Sequence, residues 1–325
     1  MIAPSKIRQF AVTALMVCAF AASPAAAQDY PTGTIRIVVG FGPGSTADAL
    51  ARLVGNYIGT ALGQPVVVEN RPGNSSMLAA DAVTRANKDG YTLFMATIAQ
   101  TLNPVQTGSS FNLAKNMEPI ALLGVVPNVL VAHPSVSANN VKELIELAKR
   151  DPDSLTFGTS GNGTASHLAT ELFNRKAGTR IVAVHYQGGA AQGMTDLLTG
   201  RITLMFNVAA PLVEQVRNGK LKAIAVGQPN RTPVMPDVVT MDEAGMPGFD
   251  VGIWIGLLAP AGTASDIVNK LSVAANEALR VDAIKNAMKA QGIDALGSTP
   301  QEFSDFIRKD IEKWTSVLST AGLKQ

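Results

Sequence analysis

Ile35-Arg36-Ile37-Val38-Val39-Gly40-Phe41-Gly42-Pro43-Gly44-Ser45-Thr46-Ala47-Asp48 is the stretch on which the reading of the fold turns. Its first five residues are β-branched at four positions and read as a buried strand. A glycine-rich bend follows. From residue 46 to 62 the side chains Leu50, Leu53, Val54, Tyr57, Ile58, Ala61 and Leu62 fall on one helical face, and Gly63 supplies the stop. Strand, glycine bend and helix together make the unit from which α/β folds are assembled.

The unit recurs. Apolar runs at 65–69, 91–96 and 119–126 alternate with helical stretches, and the second crossover, 77–86, ends in the turn Asn87-Lys88-Asp89-Gly90. Such continuous apolar strands predict parallel pairing under helical cover. Past a junction near Val126-Pro127-Asn128 the grammar resumes, with strands at 129–132, 155–158, 181–185 and 202–206 and helices at 140–149, 165–177 and 192–198, the last stopped by Gly200. An apolar run at 254–259 precedes two amphipathic helices, 265–279 and 300–318, placed to return over the first unit. The expected fold is α/β: two doubly wound lobes, 28–124 plus 253–325 and 125–252, joined by a two-crossing hinge with a cleft between them.

Lys6 and Arg8, an apolar run at 10–22 and Ser23-Pro24-Ala25-Ala26-Ala27 have the layout of a secretory leader cleaved after Ala27. Cys18 sits in Leu15-Met16-Val17-Cys18, where Val17 is a poor match to the small residue that lipoprotein cleavage wants. Loss of the leader removes the one cysteine, so the exported chain must hold together by its core. It also removes two basic residues and no acid, leaving 25 of each sign. A balanced chain exerts no long-range pull on nucleic acid or anionic membrane, and sparse aromatics argue against base stacking. Anion selectivity then has to be local.

Three bends share one design, a strand running through Gly and Ser into a helix start: residues 41–48, 158–166 and 186–190. Glycine lets the main chain approach a ligand, and the unpaired N–H groups of a helix start favour a carboxylate. Ordinary strand-to-helix turns capped by Thr46, Ser160 or Thr164 would look similar taken singly; three of them at the carboxyl ends of strands, where crevices form, favour a site. Asp48 lies in a first helical turn, suited either to the macrodipole or to meeting a ligand amine or water. Asn207 follows a strand and faces either the cleft or solvent.

Two patterns point instead to an enzyme. Gly42-x-Gly44-x-x-Ala47 with Glu69 ending the next strand matches the relaxed dinucleotide fingerprint, although Pro43 lies inside the turn. Gly158-Thr159-Ser160-Gly161-Asn162 approaches the nucleophile elbow, with Asn162 in place of the last glycine. An exported oxidoreductase or hydrolase using the Gly42 loop or Ser160 is therefore the alternative function. His133, His167 and His185 are the only histidines, at spacings that form no metal site, and neither metal nor cofactor is expected.

These residues resemble the Bug-type, TctC-like receptors of tripartite tricarboxylate transporters. The resemblance is carried by Tyr30-Pro31, 35–48 with Ala51-Arg52, 66–73, 89–93, 158–173, His185-Tyr186, Asp196-Leu197-Leu198, 221–226, Glu243-Ala244-Gly245 and 254–262, so it covers the chain beyond the leader. It implies a type II periplasmic-binding fold, a small carboxylate held between the lobes, a membrane permease as partner, and a monomer that does no chemistry. Carried over by position, the binding set is Phe41, Gly42, Gly44, Ser45, Thr46 and Asp48; Asn74, Ser75 and Ser76; Thr97; Ser160, Thr164 and Ala165; Tyr186, Gln187, Gly188, Gly189 and Ala190; and Asn207. Four departures fall at this site. Ser45 stands where a second glycine is common, Asn74-Ser75-Ser76 replaces a glycine-rich turn, Gln187 a frequent Lys and Asn207 a frequent Asp. Added hydroxyls and amides suit a second polar end on the ligand, and the missing acid at 207 weakens the case for an amino acid. A membrane signalling protein would serve as partner on the same evidence.

Overall fold

A computed structural model of the chain describes residues 30–161, 164–186 and 190–320. The leader with its cleavage point, Asn162, Gly163, Gln187, Gly188 and Gly189 lie outside the described residues. β1 (Ile35–Val39), α1 (Thr46–Leu62), β2 (Val66–Asn70), α2 (Met77–Thr84) and β3 (Thr92–Thr97) follow the predicted order, with β1 parallel to both β2 and β3. Leu50, Val54 and Ile58 are fully buried on the inner face of α1. Ser45, not Thr46, caps that helix, and Gly63 closes it at φ 69.

Then come α3 (Ala99–Thr107), α4 (Leu113–Asn116), β4 (Met117–Val126), β5 (Asn128–Ala132), α5 (Val141–Arg150), β6 (Thr156–Thr159), α6 (Ala165–Ala177), β7 (Val182–His185), α7 (Ala190–Leu198) and β8 (Leu204–Val208). α8 (Val213–Arg217), β9 (Lys222–Val226), β10 (Ile253–Pro260), α9 (Ser265–Ala278), α10 (Asp282–Ala290), β11 (Asp294–Ala295) and α11 (Pro300–Thr320) complete the order. α3 has no counterpart in the sequence reading, because its buried face is Gln100, Thr101, Leu102 and Pro104, which carries no apolar stripe.

The first sheet runs β11-β4-β10-β3-β1-β2 and the second β7-β6-β8-β5-β9. Parallel pairing holds among β1, β2 and β3 and among β6, β7 and β8, but β10 is antiparallel to β3 and β4, and β5 is antiparallel to β8 and β9. The parallel expectation therefore fails for β4 and β5, and β9 and β10, for which no direction was expected, are antiparallel as well. These strands flank the two places where the chain passes between sheets, and a chain that crosses over and returns must reverse direction there.

Both connections are tied together. The buried Asn128 donates from Nδ2 to the Val251 carbonyl at 2.8 Å, while the Gly227 amide donates to the Asn128 carbonyl at 2.7 Å. One continuous apolar cluster then runs from Val38 and Phe94 of the first sheet to Phe157, Phe206 and Phe249 of the second. α11 packs on β4 and α3 and reaches α6, where Arg175 donates to Ser316 Oγ at 2.8 Å.

Candidate functional site

The loop after β1 is built around Asp48. This carboxylate, 3 % exposed, accepts from the Gly44 amide at 2.9 Å, from both Nε and Nη2 of Arg52 at 3.2 and 2.9 Å, and from Asn70 Nδ2 at 2.9 Å. Burial pushes the group up, but those hydrogen bonds and the Arg52 charge outweigh it and hold Asp48 below the ordinary carboxylate value. Its oxygens are thus committed to the loop. Gly44 takes φ 81, and Asn70 also donates to the Phe41 carbonyl at 3.0 Å. Ser45 Oγ accepts from the Asp48 amide at 3.3 Å, and the Ala49 amide returns to the Ser45 carbonyl. That leaves the N–H groups of Thr46 and Ala47 without an intrahelical acceptor, beside a Gly42 with open space around it.

Asn74, Ser75 and Ser76 come to the same place. All three have left-handed φ, at 46°, 49° and 72°, a conformation that costs L-residues energy and that glycine adopts freely. The turn is pinned by close approach to β1: a Cβ on Gly40 would lie 1.7 Å from Ser76 Oγ. Thr97 ends β3 beside them, with its hydroxyl accepting from the Ala99 amide at 3.2 Å and its own amide donating to Gln100 Oε1 at 2.9 Å.

A second cluster forms at the ends of β6, β7 and β8. Thr164 caps α6, accepting from the His167 amide and donating to the Gly161 carbonyl at 2.7 Å, so Ser160 is not the cap. Ser166 Oγ draws the loop closed, meeting the Ser160 amide at 2.9 Å, Ser160 Oγ at 3.1 Å and Thr164 Oγ1 at 3.2 Å. By the same end-of-helix rule the amides of Ala165 and Ser166 have no intrahelical acceptor. Ala190 opens α7, which packs on β6 and β8. Tyr186 is carried there by its amide bond to the Thr159 carbonyl, yet its ring is buried and its hydroxyl donates to Asp196 Oδ2 at 2.9 Å. Burial and that bond push the phenol up to about 12. Asn207 lies two residues beyond the Gly158–Met205 pairing, beside Ser160, and its Oδ1 accepts from the Val208 amide at 2.9 Å.

Strand register brings the two clusters toward one junction. Thr97 pairs with Ile255, two residues from Ile253, which pairs with Val126 just before the first connection. Val208 pairs with Asn128 just after it. The carboxyl ends of both parallel sets therefore point at the connections that join the sheets, which is where a crevice in an open α/β fold takes a ligand.

The enzyme patterns find little support in the geometry. Glu69 is engaged by Arg36 and Arg71, and the Ser160 hydroxyl faces that of Ser166. His167 and His185 stack edge to face at 4.5 Å, with His185 Nδ1 2.8 Å from Thr159 Oγ1. Among the described residues no group of three His, Cys, Asp or Glu could hold a metal. Sequence reading missed Arg52, Asn70, Gln100 and Ser166. Asn70 and Ser166 act through bends that only the folded backbone creates, whereas the Asp48–Arg52 spacing of four was a legible signal for an ion pair.

The sequence profile of the tripartite tricarboxylate transporter family receptor, TctC, matches residues 50–323. The chain is similar to Protein BugT of Bordetella pertussis, 33 % identical over 309 residues, spanning 93 % of this chain and 94 % of the relative. Among solved structures it is similar to R. palustris Rpa4515 with adipate, at 32 % identity and TM-score 0.69, covering 90 % and 98 % of the two chains. It is also similar to a TctC solute binding protein from Polaromonas with no ligand, at 25 % identity and TM-score 0.84, covering 90 % and 99 %. With the profile spanning nearly all of the folded chain and relatives aligning from end to end, the chain belongs to the tripartite tricarboxylate transporter receptor family, whose members are periplasmic solute-binding receptors and not enzymes.

Proposed function

We propose that the chain captures a small organic acid between the two loop clusters and delivers it, as a monomer, to membrane permease components. On this reading the leader is cleaved after Ala27, the lobes divide as 28–124 plus 253–325 and 125–252, and the binding residues are those at the strand ends, together with Gln187, Gly188 and Gly189. The observation that carries it is the pair of helix starts, Thr46-Ala47 and Ala165-Ser166, whose free amides lie at strand ends directed to one junction. Such amides hold a carboxylate by charge-assisted hydrogen bonds without requiring a basic side chain, which fits a chain of balanced charge.

Asp48 braces its loop, and position 207 is an amide, so neither offers a ready partner for a ligand ammonium. The hydroxyls of Ser45, Thr46 and Ser75 suit a second polar end. A dicarboxylate without an amino group is the favoured class, in keeping with the adipate held by the relative.

A thermal-shift panel of mono-, di- and tricarboxylates with their amides tests this. At 100 times its dissociation constant a true ligand adds about 2.7 kcal/mol of stability. Stabilisation by a dicarboxylate and not by its diamide is expected; no response to any acid contradicts the proposal.

A further inference from the structure

Beside the second loop cluster stand two imidazoles to which the proposed capture of an acid assigns no task. His167, from the first turn of α6, and His185, from the end of β7, meet edge to face with ring centroids 4.5 Å apart. His167 Nε2 lies 3.6 Å from Glu171 Oε1, one helical turn on. His185 Nδ1 lies 2.8 Å from Oγ1 of Thr159, its partner in the parallel pairing of β6 and β7. Thr159 is fully buried, so its hydroxyl proton turns either to His185 Nδ1 or to the Gly161 carbonyl at 3.5 Å. The Gly161 amide donates to Thr159 Oγ1 at 3.4 Å, and the Gly161 carbonyl accepts from the hydroxyl of Thr164, the cap of α6, at 2.7 Å. A line of hydrogen bonds thus runs from the His185 ring through Thr159 and Gly161 to the start of α6.

A proton arriving here changes the charge and keeps the bend. With Nδ1 of His185 bare, the Thr159 hydroxyl donates to the ring; with Nδ1 protonated, the ring donates and the hydroxyl turns to the Gly161 carbonyl. Two rings this close hold one proton in preference to two. An imidazolium beside the first turn of α6 also meets the positive end of that helix, an opposition that an acid bound at the helix start relieves. Among the described residues, the charges acting on His185 come from α6, as His167 and Glu171. β7 is the edge strand; its neighbour β6 brings the uncharged Thr159, and Asp196 of α7 is paired with Arg201. Local desolvation first, and the His167 ring second, hold His185 below its ordinary 6.5 against the pull of Glu171.

We propose, on the reading that an organic acid is captured at the α6 start, that His167 and His185 are positioning residues that couple capture to a proton: the pair takes up one proton as the carboxylate seats. Linkage is reciprocal, so an acid that raises the proton affinity of the pair is itself held more tightly where the pair is charged. Affinity is level while both states are neutral. It climbs as pH falls from the midpoint of the acid-bound pair to that of the free pair.

NMR titration of the imidazole rings in the whole chain, free and with saturating adipate, tests this; another acid of the thermal-shift panel replaces adipate if adipate does not bind. His133 is the internal standard, because it follows β5 at the end away from the junction. Adipate is expected to raise the midpoint of the pair by about 0.7 of a pH unit, leaving His133 in place, and its calorimetric affinity to rise about threefold from about pH 7.5 to about pH 6. The rise is expected to vanish when His167→Gln and His185→Gln are combined. If that variant loses its native circular dichroism, the midpoints in the parent chain decide. Capture with unmoved midpoints, an equal shift of His133, or a rise that persists in the folded double variant overturns the coupling and leaves the proposed function standing. Failure of every acid to bind overturns the proposed function and the coupling with it.

Discussion

The Asp48 carboxylate accepts four hydrogen bonds, and its protonation has a defined consequence. Because its folded value lies below the ordinary 3.8, its contribution to stability is fully present above that value and drains away as pH falls through the lower, folded one. Urea unfolding across acidic pH is expected to show a stability loss in the parent chain that Asp48→Asn lacks, with the variant less stable at neutral pH by about 1–3 kcal/mol. Ser75→Gly removes a side chain from a left-handed position and is expected to raise the melting temperature, worth about 1 kcal/mol. Tyr186→Phe separates the packing role of this residue from ligand contact: loss of its bond to Asp196 lowers stability by about 1–3 kcal/mol, measured by denaturation, while carboxylate affinity measured by calorimetry stays near that of the parent.

At the scale of elements, the sequence was most legible where a period and a stop signal coincide. The α1 boundaries, 46 and 62, follow from an apolar stripe stopped by Gly63, and the structure places them there, as it does the expected bounds 165 and 177 of α6, which Thr164 and Gly178 cap. Thr164→Ala is expected to lower stability by about 1 kcal/mol in thermal unfolding, as loss of an N-cap does. The α3 helix was illegible because it buries amide and hydroxyl side chains against the 74–76 turn instead of an apolar face. Pairing direction was misread for β4 and β5, since an apolar run such as 120–126 looks the same in a parallel or an antiparallel sheet when both faces are covered. The candidate residues were legible as loops at strand ends. What the sequence could not convey is which side chains those loops consume internally, as happens to Asp48 and Tyr186.

At the scale of the whole molecule, two connections laced together by Asn128 join the sheets. Its side chain is buried and bonded to the Val251 carbonyl across the junction, so Asn128→Ala leaves that carbonyl without its partner. A loss of about 1–3 kcal/mol in denaturant unfolding is expected, together with a larger radius of gyration in solution scattering if the lobes splay. Among the described residues an apolar cluster spans both sheets, and the chain is expected to unfold in a single transition despite its two sheets.

The most direct test of capture between strand ends is a crystal structure of the chain with whichever dicarboxylate stabilises it. One carboxylate is expected within hydrogen-bond distance of main-chain N–H groups from both the Thr46-Ala47 and the Ala165-Ser166 helix starts, with the lobes closed over it. An acid bound to one cluster alone, or on an outer face away from the junction, would contradict it.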